Sequence, residues 1–164
     1  MWSKWSKSIV DCAKFLEGFD DAQAFFDFAD FFARPNDVPE KARPYIAMAL
    51  PFTIQSTVFG MGLALALDFL KEVGYDSYAK PDVHLRRVFE ELGLAYGKSD
   101  FDCFRAIAEA ASTNDITPYK LDKLIWLICS GTFYEINDKQ EVKVTGKREE
   151  FIEHMRRVFE DGKK

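Results

Sequence analysis

The feature that most restricts the fold of this sequence is a run of 24 residues, Pro44 to Leu67, without a charged side chain. A helix of that length is long enough to span a lipid bilayer. However, Pro51, the polar residues Gln55–Thr57 and the glycines Gly60 and Gly62 divide the run into pieces of one or two turns. The run therefore predicts short helices packed inside a protein, and we expect no membrane partner.

Length and composition predict one packed domain. The chain has 164 residues, of which 48% are apolar and 30% are charged, and this balance excludes an intrinsically disordered chain. Its 16 phenylalanines need a core that covers them. We therefore expect a single domain over residues 1–164.

Charge and cysteine content restrict the partners and the compartment. The net charge is −5, so a nucleic acid would have to be met by local features rather than by a basic surface. Cys12, Cys103 and Cys129 fit no zinc pattern with His84 and His154. We expect a reduced, cytoplasmic protein without metal or cofactor, and charged residues within the first 16 positions argue against a secretion signal.

Apolar residues recur at steps of three and four along most of the chain, which predicts a mainly α fold. The first helix runs from Trp2 to about Glu17 with one apolar face. The next, AQAFFDFADFFA, is Phe-rich, which favours a core helix over an aromatic platform for stacked bases. Later helix starts are predicted at Asp82, Ser99 and Thr117. We expect a compact bundle of about seven or eight helices, with a small β-hairpin near residues 133–145 as the exception.

The motif with most information is Phe59-Gly60-Met61-Gly62, which lies between two predicted helices. Two glycines one residue apart leave backbone N–H groups uncovered, and the following helix adds the partial positive charge of its N-terminus. Such a hairpin can bind a phosphate without lysines. A tight turn that lets two helices pack closely is the alternative.

This motif, together with the residues that follow it, carries a family resemblance. The segment FGMGLALALDFLKEVGYDSYAKPDVHLRRVFEELGL resembles the helix-hairpin-helix core of the endonuclease III-like superfamily of DNA glycosylases. In that family the catalytic aspartate lies in a segment of the form Asp-x-His-x-x-Arg-Val, and Asp82 here follows Gly62 by 20 residues. The remaining matches in that segment are His84, Arg87 and Val88. Farther on, Tyr119-Lys120-Leu121-Asp122, Trp126-Leu127-Ile128 and Gly131 are similar to the family's next core helix.

The resemblance covers about residues 50–134, with divergent helices before it at 1–49 and a hairpin and helix after it at 135–164. It implies a DNA-binding helix-hairpin-helix protein that acts on duplex DNA, with Asp82 as the catalytic residue. It also implies a base pocket for a nucleotide flipped out of the duplex, lined by Tyr119 and Trp126. The residues expected to contact DNA are Gly60, Met61, Gly62, Lys80 and Arg87.

Two departures from the family define the expected chemistry. Ala64 occupies the position of the lysine with which bifunctional members form a Schiff base. The iron–sulfur cysteines are also absent, because no cysteine follows Gly131. The resemblance then implies a monofunctional glycosylase that hydrolyses an N-glycosidic bond without lyase activity.

The residues themselves leave other interpretations open. Asp82 after Pro81 has the form of an ordinary helix N-cap. His84 fits a structural hydrogen-bonding role better than that of a base. The alternative functions are a non-catalytic DNA-binding domain and a protein-interaction domain, each of which would keep only the fold.

Overall fold

The computed structural model describes residues 2–35, 38–39, 42–134, 141–143 and 145–162, and it confirms the prediction of a mainly α fold. Its elements, in chain order, are α1 (Trp2–Glu17), α2 (Ala22–Ala33), α3 (Arg43–Ala47), α4 (Ala49–Thr57), α5 (Leu63–Glu72), α6 (Val83–Glu91), α7 (Asp100–Thr113), α8 (Pro118–Ser130), β1 (Thr132–Tyr134), β2 (Glu141–Lys143) and α9 (Arg148–Asp161). None of these helices is both long and apolar enough to cross a membrane.

Backbone contacts divide the chain into two units, Met1–Ser77 and Tyr78–Lys164. The first unit contains α1 to α5 and the second contains the remaining elements. The hairpin of the predicted motif therefore belongs to the first unit and Asp82 to the second. The single domain over residues 1–164 stays a prediction.

In the first unit, the uncharged run forms α3, α4 and the start of α5. The sequence predicts a helix near residues 45–50 and another after Pro51, but the break falls at Met48 instead. Pro51 is the third residue of α4, where its missing N–H has no intrahelical acceptor to lose. Proline is therefore accommodated in the first turn, and it does not separate the helices.

The Phe-rich helix α2 begins at the N-cap Asp21, whose carboxylate accepts a hydrogen bond of 2.8 Å from the Ala24 N–H. Phe25 is buried, and edge-on ring contacts join the half-buried Phe28 and Phe32. Phe31, on another side of the helix, is 73% exposed. The core interpretation holds for the face that carries Phe25, while the side that carries Phe31 lies at the surface.

In the second unit, side-chain caps fix where the helices begin. Ser99 and Asp102 form the predicted capping box at the start of α7, and Thr117 caps α8 before its first residue, Pro118. Gly131 ends α8 with a left-handed φ of 69°. Strands β1 and β2 pair antiparallel where the sequence predicts a hairpin, and its turn, residues 135–140, lies outside the described residues.

Candidate functional site

The hairpin between α4 and α5 closes through a hydrogen bond of 3.2 Å from the Met61 N–H to the Val58 carbonyl. Gly60 has a left-handed φ of +78°, a conformation that glycine adopts without steric cost. Gly62 is the N-cap of α5, and it is exposed. Gly62 has no side chain that could cap α5, so this residue leaves the first N–H groups of the helix without an N-cap hydrogen bond. The sequence predicts such uncovered N–H groups at this hairpin.

Helix α1 contacts this hairpin, a contact that the sequence does not predict. The Ser8 hydroxyl donates a hydrogen bond of 2.5 Å to the Phe59 carbonyl, and the Lys7 ammonium lies 4.0 Å from the centre of the Phe59 ring. The Lys7 contact places a cation beside a hairpin that contains none of its own. Because 51 residues separate Ser8 from Phe59, no local pattern in the sequence could have indicated the contact.

Asp82 is the N-cap of α6, which was one of the two interpretations of this residue. Its Oδ1 accepts hydrogen bonds from the His84 N–H at 2.8 Å and from the Leu85 N–H at 3.0 Å. Oδ2 accepts no hydrogen bond from the part of the chain that the structure describes. The side chain is half-buried, so capping uses one carboxylate oxygen and leaves the other for a second role.

The segment before Asp82 is tied to α8. The Lys80 N–H donates a hydrogen bond of 2.8 Å to Oδ2 of Asp122, which is buried. Tyr119 and Trp126 are three residues before and four residues after Asp122, so all three share one face of α8. The structure therefore brings Lys80 and Asp82 to the helix that carries both predicted base-pocket aromatics, and both of these are half-buried.

Arg87, a predicted DNA contact, is engaged in ion pairs within the protein. Its guanidinium lies 2.7 Å from Glu91 and 3.1 Å from Glu149, and the Glu91 hydrogen bond raises the pKa of Arg87. Glu149 is 62 residues away in sequence. A phosphate would have to compete with two carboxylates for this side chain. The neighbouring Arg86 pairs with Asp100 and donates to the Lys98 carbonyl.

Two cysteines of the second unit, Cys103 and Cys129, have buried thiols. Burial raises the pKa of the Cys103 thiol to about 12 and that of Cys129 to about 11, so both stay protonated near neutral pH.

His84 is half-buried, and its Nδ1 makes no hydrogen bond to any described group. Within the described residues, no three His, Cys, Asp or Glu side chains are grouped so that they could hold a metal ion.

Comparison with protein-family models, with curated proteins and with solved structures finds no significant match to this chain.

Proposed function

We propose that this chain is a cytoplasmic, monofunctional DNA glycosylase, which binds duplex DNA and hydrolyses the N-glycosidic bond of a damaged base with Asp82. The observation that carries the proposal is that the two oxygens of the Asp82 carboxylate differ in their hydrogen bonds. Oδ1 takes both cap hydrogen bonds, whereas Oδ2 accepts none from the described residues. A carboxylate whose direction is fixed in this way can stabilise an oxocarbenium-like sugar or orient a water for attack.

The aromatic side chains of α8 support the same proposal. A base that is excised must leave the duplex and stack against apolar groups in the enzyme. Tyr119 and Trp126 share the face of α8 that binds the segment leading into Asp82. We assign them to the flipped base, and we assign Lys80 to the adjacent backbone.

The hairpin supports the DNA-binding part of the proposal. An uncapped helix N-terminus attracts a phosphate through backbone N–H groups, so the net charge of −5 is not an obstacle. Gly62 has φ of −70°, and a methyl group added to it would meet nothing within 4 Å. Gly62→Ala therefore keeps the fold but places a methyl group where the phosphate would approach.

The binding test uses fluorescence anisotropy with a short duplex that carries a stable abasic-site analogue and with the undamaged duplex. It is run at about 0.05 M and 0.15 M salt, because phosphate contacts weaken steeply with salt. We expect preferential binding to the abasic analogue and weaker binding by Gly62→Ala. Absence of binding to either duplex at about 10 µM protein and about 0.05 M salt, where phosphate contacts are strongest, contradicts the proposal.

The catalytic test uses Asp82→Asn on duplexes that each contain one deaminated, oxidised or alkylated base. Asparagine is as good an N-cap as aspartate, so the variant keeps the helix start and loses only the charge. We expect excision to disappear while abasic-duplex binding remains. Asp21→Asn is the matched control, since Asp21 is also a side-chain N-cap, at the start of α2, and is assigned no chemistry. Unchanged excision by Asp82→Asn would rule out the catalytic role.

A protein-interaction domain is the second candidate, and the surface of α1 favours it. The apolar face predicted for this helix lies largely at the surface, with Trp5 62% and Ile9 67% exposed. Exposed apolar groups on neighbouring turns are typical of protein-binding surfaces. If the chain is a protein-interaction domain, it should have no affinity for either duplex. Trp5→Ser should then abolish association with a protein partner without changing the helix content.

A further inference from the structure

Asp122 is a buried carboxylate that the proposed chemistry does not yet use. It is only 3% exposed, and it lies on α8 among buried apolar residues such as Ile125. Burying a carboxylate is costly unless hydrogen bonds replace its water. One replacement is the backbone N–H of Lys80, which is 42 residues earlier in the chain and 2.8 Å from Oδ2.

The hydrogen bond from Lys80 begins a short chain of contacts that ends at Asp82. The Lys80 carbonyl accepts a hydrogen bond of 2.8 Å from the Asp82 N–H, which closes a three-residue turn around Pro81. Proline has a fixed φ, and Pro81 is buried. Asp122 therefore holds the first residue of the turn, Pro81 restricts the middle, and the cap on α6 holds the last.

We propose that Asp122 is the positioning residue for Asp82, an inference that rests on the proposed glycosylase function. Asp122 touches no reacting atom in this assignment. By holding the Lys80 N–H, its carboxylate fixes the turn that carries Asp82 and so sets the direction of the Asp82 Oδ2 toward the sugar. Small displacements of a catalytic group reduce rates strongly, because the reacting atoms must be aligned.

The test compares two variants of similar size. Asp122→Asn keeps an oxygen that can accept the Lys80 N–H, whereas Asp122→Leu fills the same space and removes the acceptor. We expect single-turnover excision by Asp122→Leu to fall by about tenfold or more, as for a misaligned catalytic group. Asp122→Asn should recover most of the rate, and abasic-duplex affinity should stay within about twofold in both variants.

A structural control separates positioning from stability. Ile125→Val, one turn away on α8, weakens the same core without touching Lys80, and it should leave the excision rate unchanged. Hydrogen exchange gives a readout that needs no substrate. The Lys80 amide should be protected in the wild type, in Asp122→Asn and in Ile125→Val, but should exchange freely in Asp122→Leu.

The possible failures are distinguishable. If the wild type excises none of the bases, the proposed function fails and this inference fails with it. If the wild type is active and a folded Asp122→Leu retains its rate, only the positioning role is overturned. If Asp122→Leu does not fold, hydrogen exchange of the Lys80 amide in the wild type tests the positioning role. Rapid exchange of that amide would show that the hydrogen bond to Asp122 does not hold the turn, and the inference would be overturned.

Discussion

The two roles assigned to Asp82 can be separated by the stability of two substitutions. Oδ1 of Asp82 accepts hydrogen bonds of 2.8 and 3.0 Å from two backbone N–H groups. Loss of an N-cap of this kind lowers the free energy of unfolding by about 1–2 kcal/mol. Asp82→Ala should therefore lower the free energy of unfolding by about that amount. For a chain of this length the loss corresponds to a decrease in Tm of about 2–4 °C for each kcal/mol. Asp82→Asn should change stability by only a few tenths of a kcal/mol, roughly the difference between two good caps.

The assay is thermal or urea unfolding followed by circular dichroism, with the same substitutions at Asp21 as the comparison. Asp21 receives one cap hydrogen bond, at 2.8 Å from Ala24, so Asp21→Ala should cost less than Asp82→Ala. If Asp82→Asn destabilises the protein as much as Asp82→Ala does, the carboxylate charge rather than the cap stabilises α6. In that case Asp82→Asn could not be used as a clean test of catalysis.

Three further predictions concern the hairpin and the buried titratable groups. Gly60→Ala should destabilise the protein by more than about 1 kcal/mol in the same unfolding assay, whereas Gly62→Ala should be nearly neutral; the reasons are the φ of +78° at Gly60 and the open space at Gly62. Cys103 and Cys129 should resist a thiol reagent at pH 8 until denaturant is added, because burial raises the pKa of both thiols; rapid modification of the native protein would contradict this. Burial, with the nearby Asp30 carboxylate, raises the pKa of Tyr75 to about 12 from an ordinary value of 10.0. The contribution of the Tyr75 hydroxyl to the free energy of unfolding is therefore complete below pH 10 and is lost as the pH rises through 12. The difference in unfolding free energy between the wild type and Tyr75→Phe should shrink over that range, and a constant difference would refute the assignment.

Local patterns in the sequence are sufficient to predict most of the helices and their starts. Ser99 and Thr117 are caps because their hydroxyls need to reach only three residues ahead. Similar short-range logic predicts the glycine turn at residues 59–62. The misplaced break between α3 and α4 has a local cause as well, since proline in the first turn of a helix loses no hydrogen bond.

The long-range contacts of the candidate site could not be predicted in this way. Ser8 and Phe59, Lys80 and Asp122, and Arg87 and Glu149 are each separated by more than 40 residues. A single sequence contains no periodicity that links such positions. Asp122 illustrates the difficulty, because an aspartate in a helix is ordinarily expected at the surface. Only the fold shows that this carboxylate is buried against the turn before Asp82.

The structure also changes the question that the sequence posed about Asp82. An N-cap and a catalytic carboxylate compete as explanations of Asp82 only if the side chain is treated as a single contact. A carboxylate has two oxygens, and the cap hydrogen bonds here use Oδ1 alone. Capping also places the anion at the positive end of the α6 dipole and restricts its rotation. A free carboxylate on a loop would have neither feature, so capping is compatible with the catalytic role proposed for Asp82.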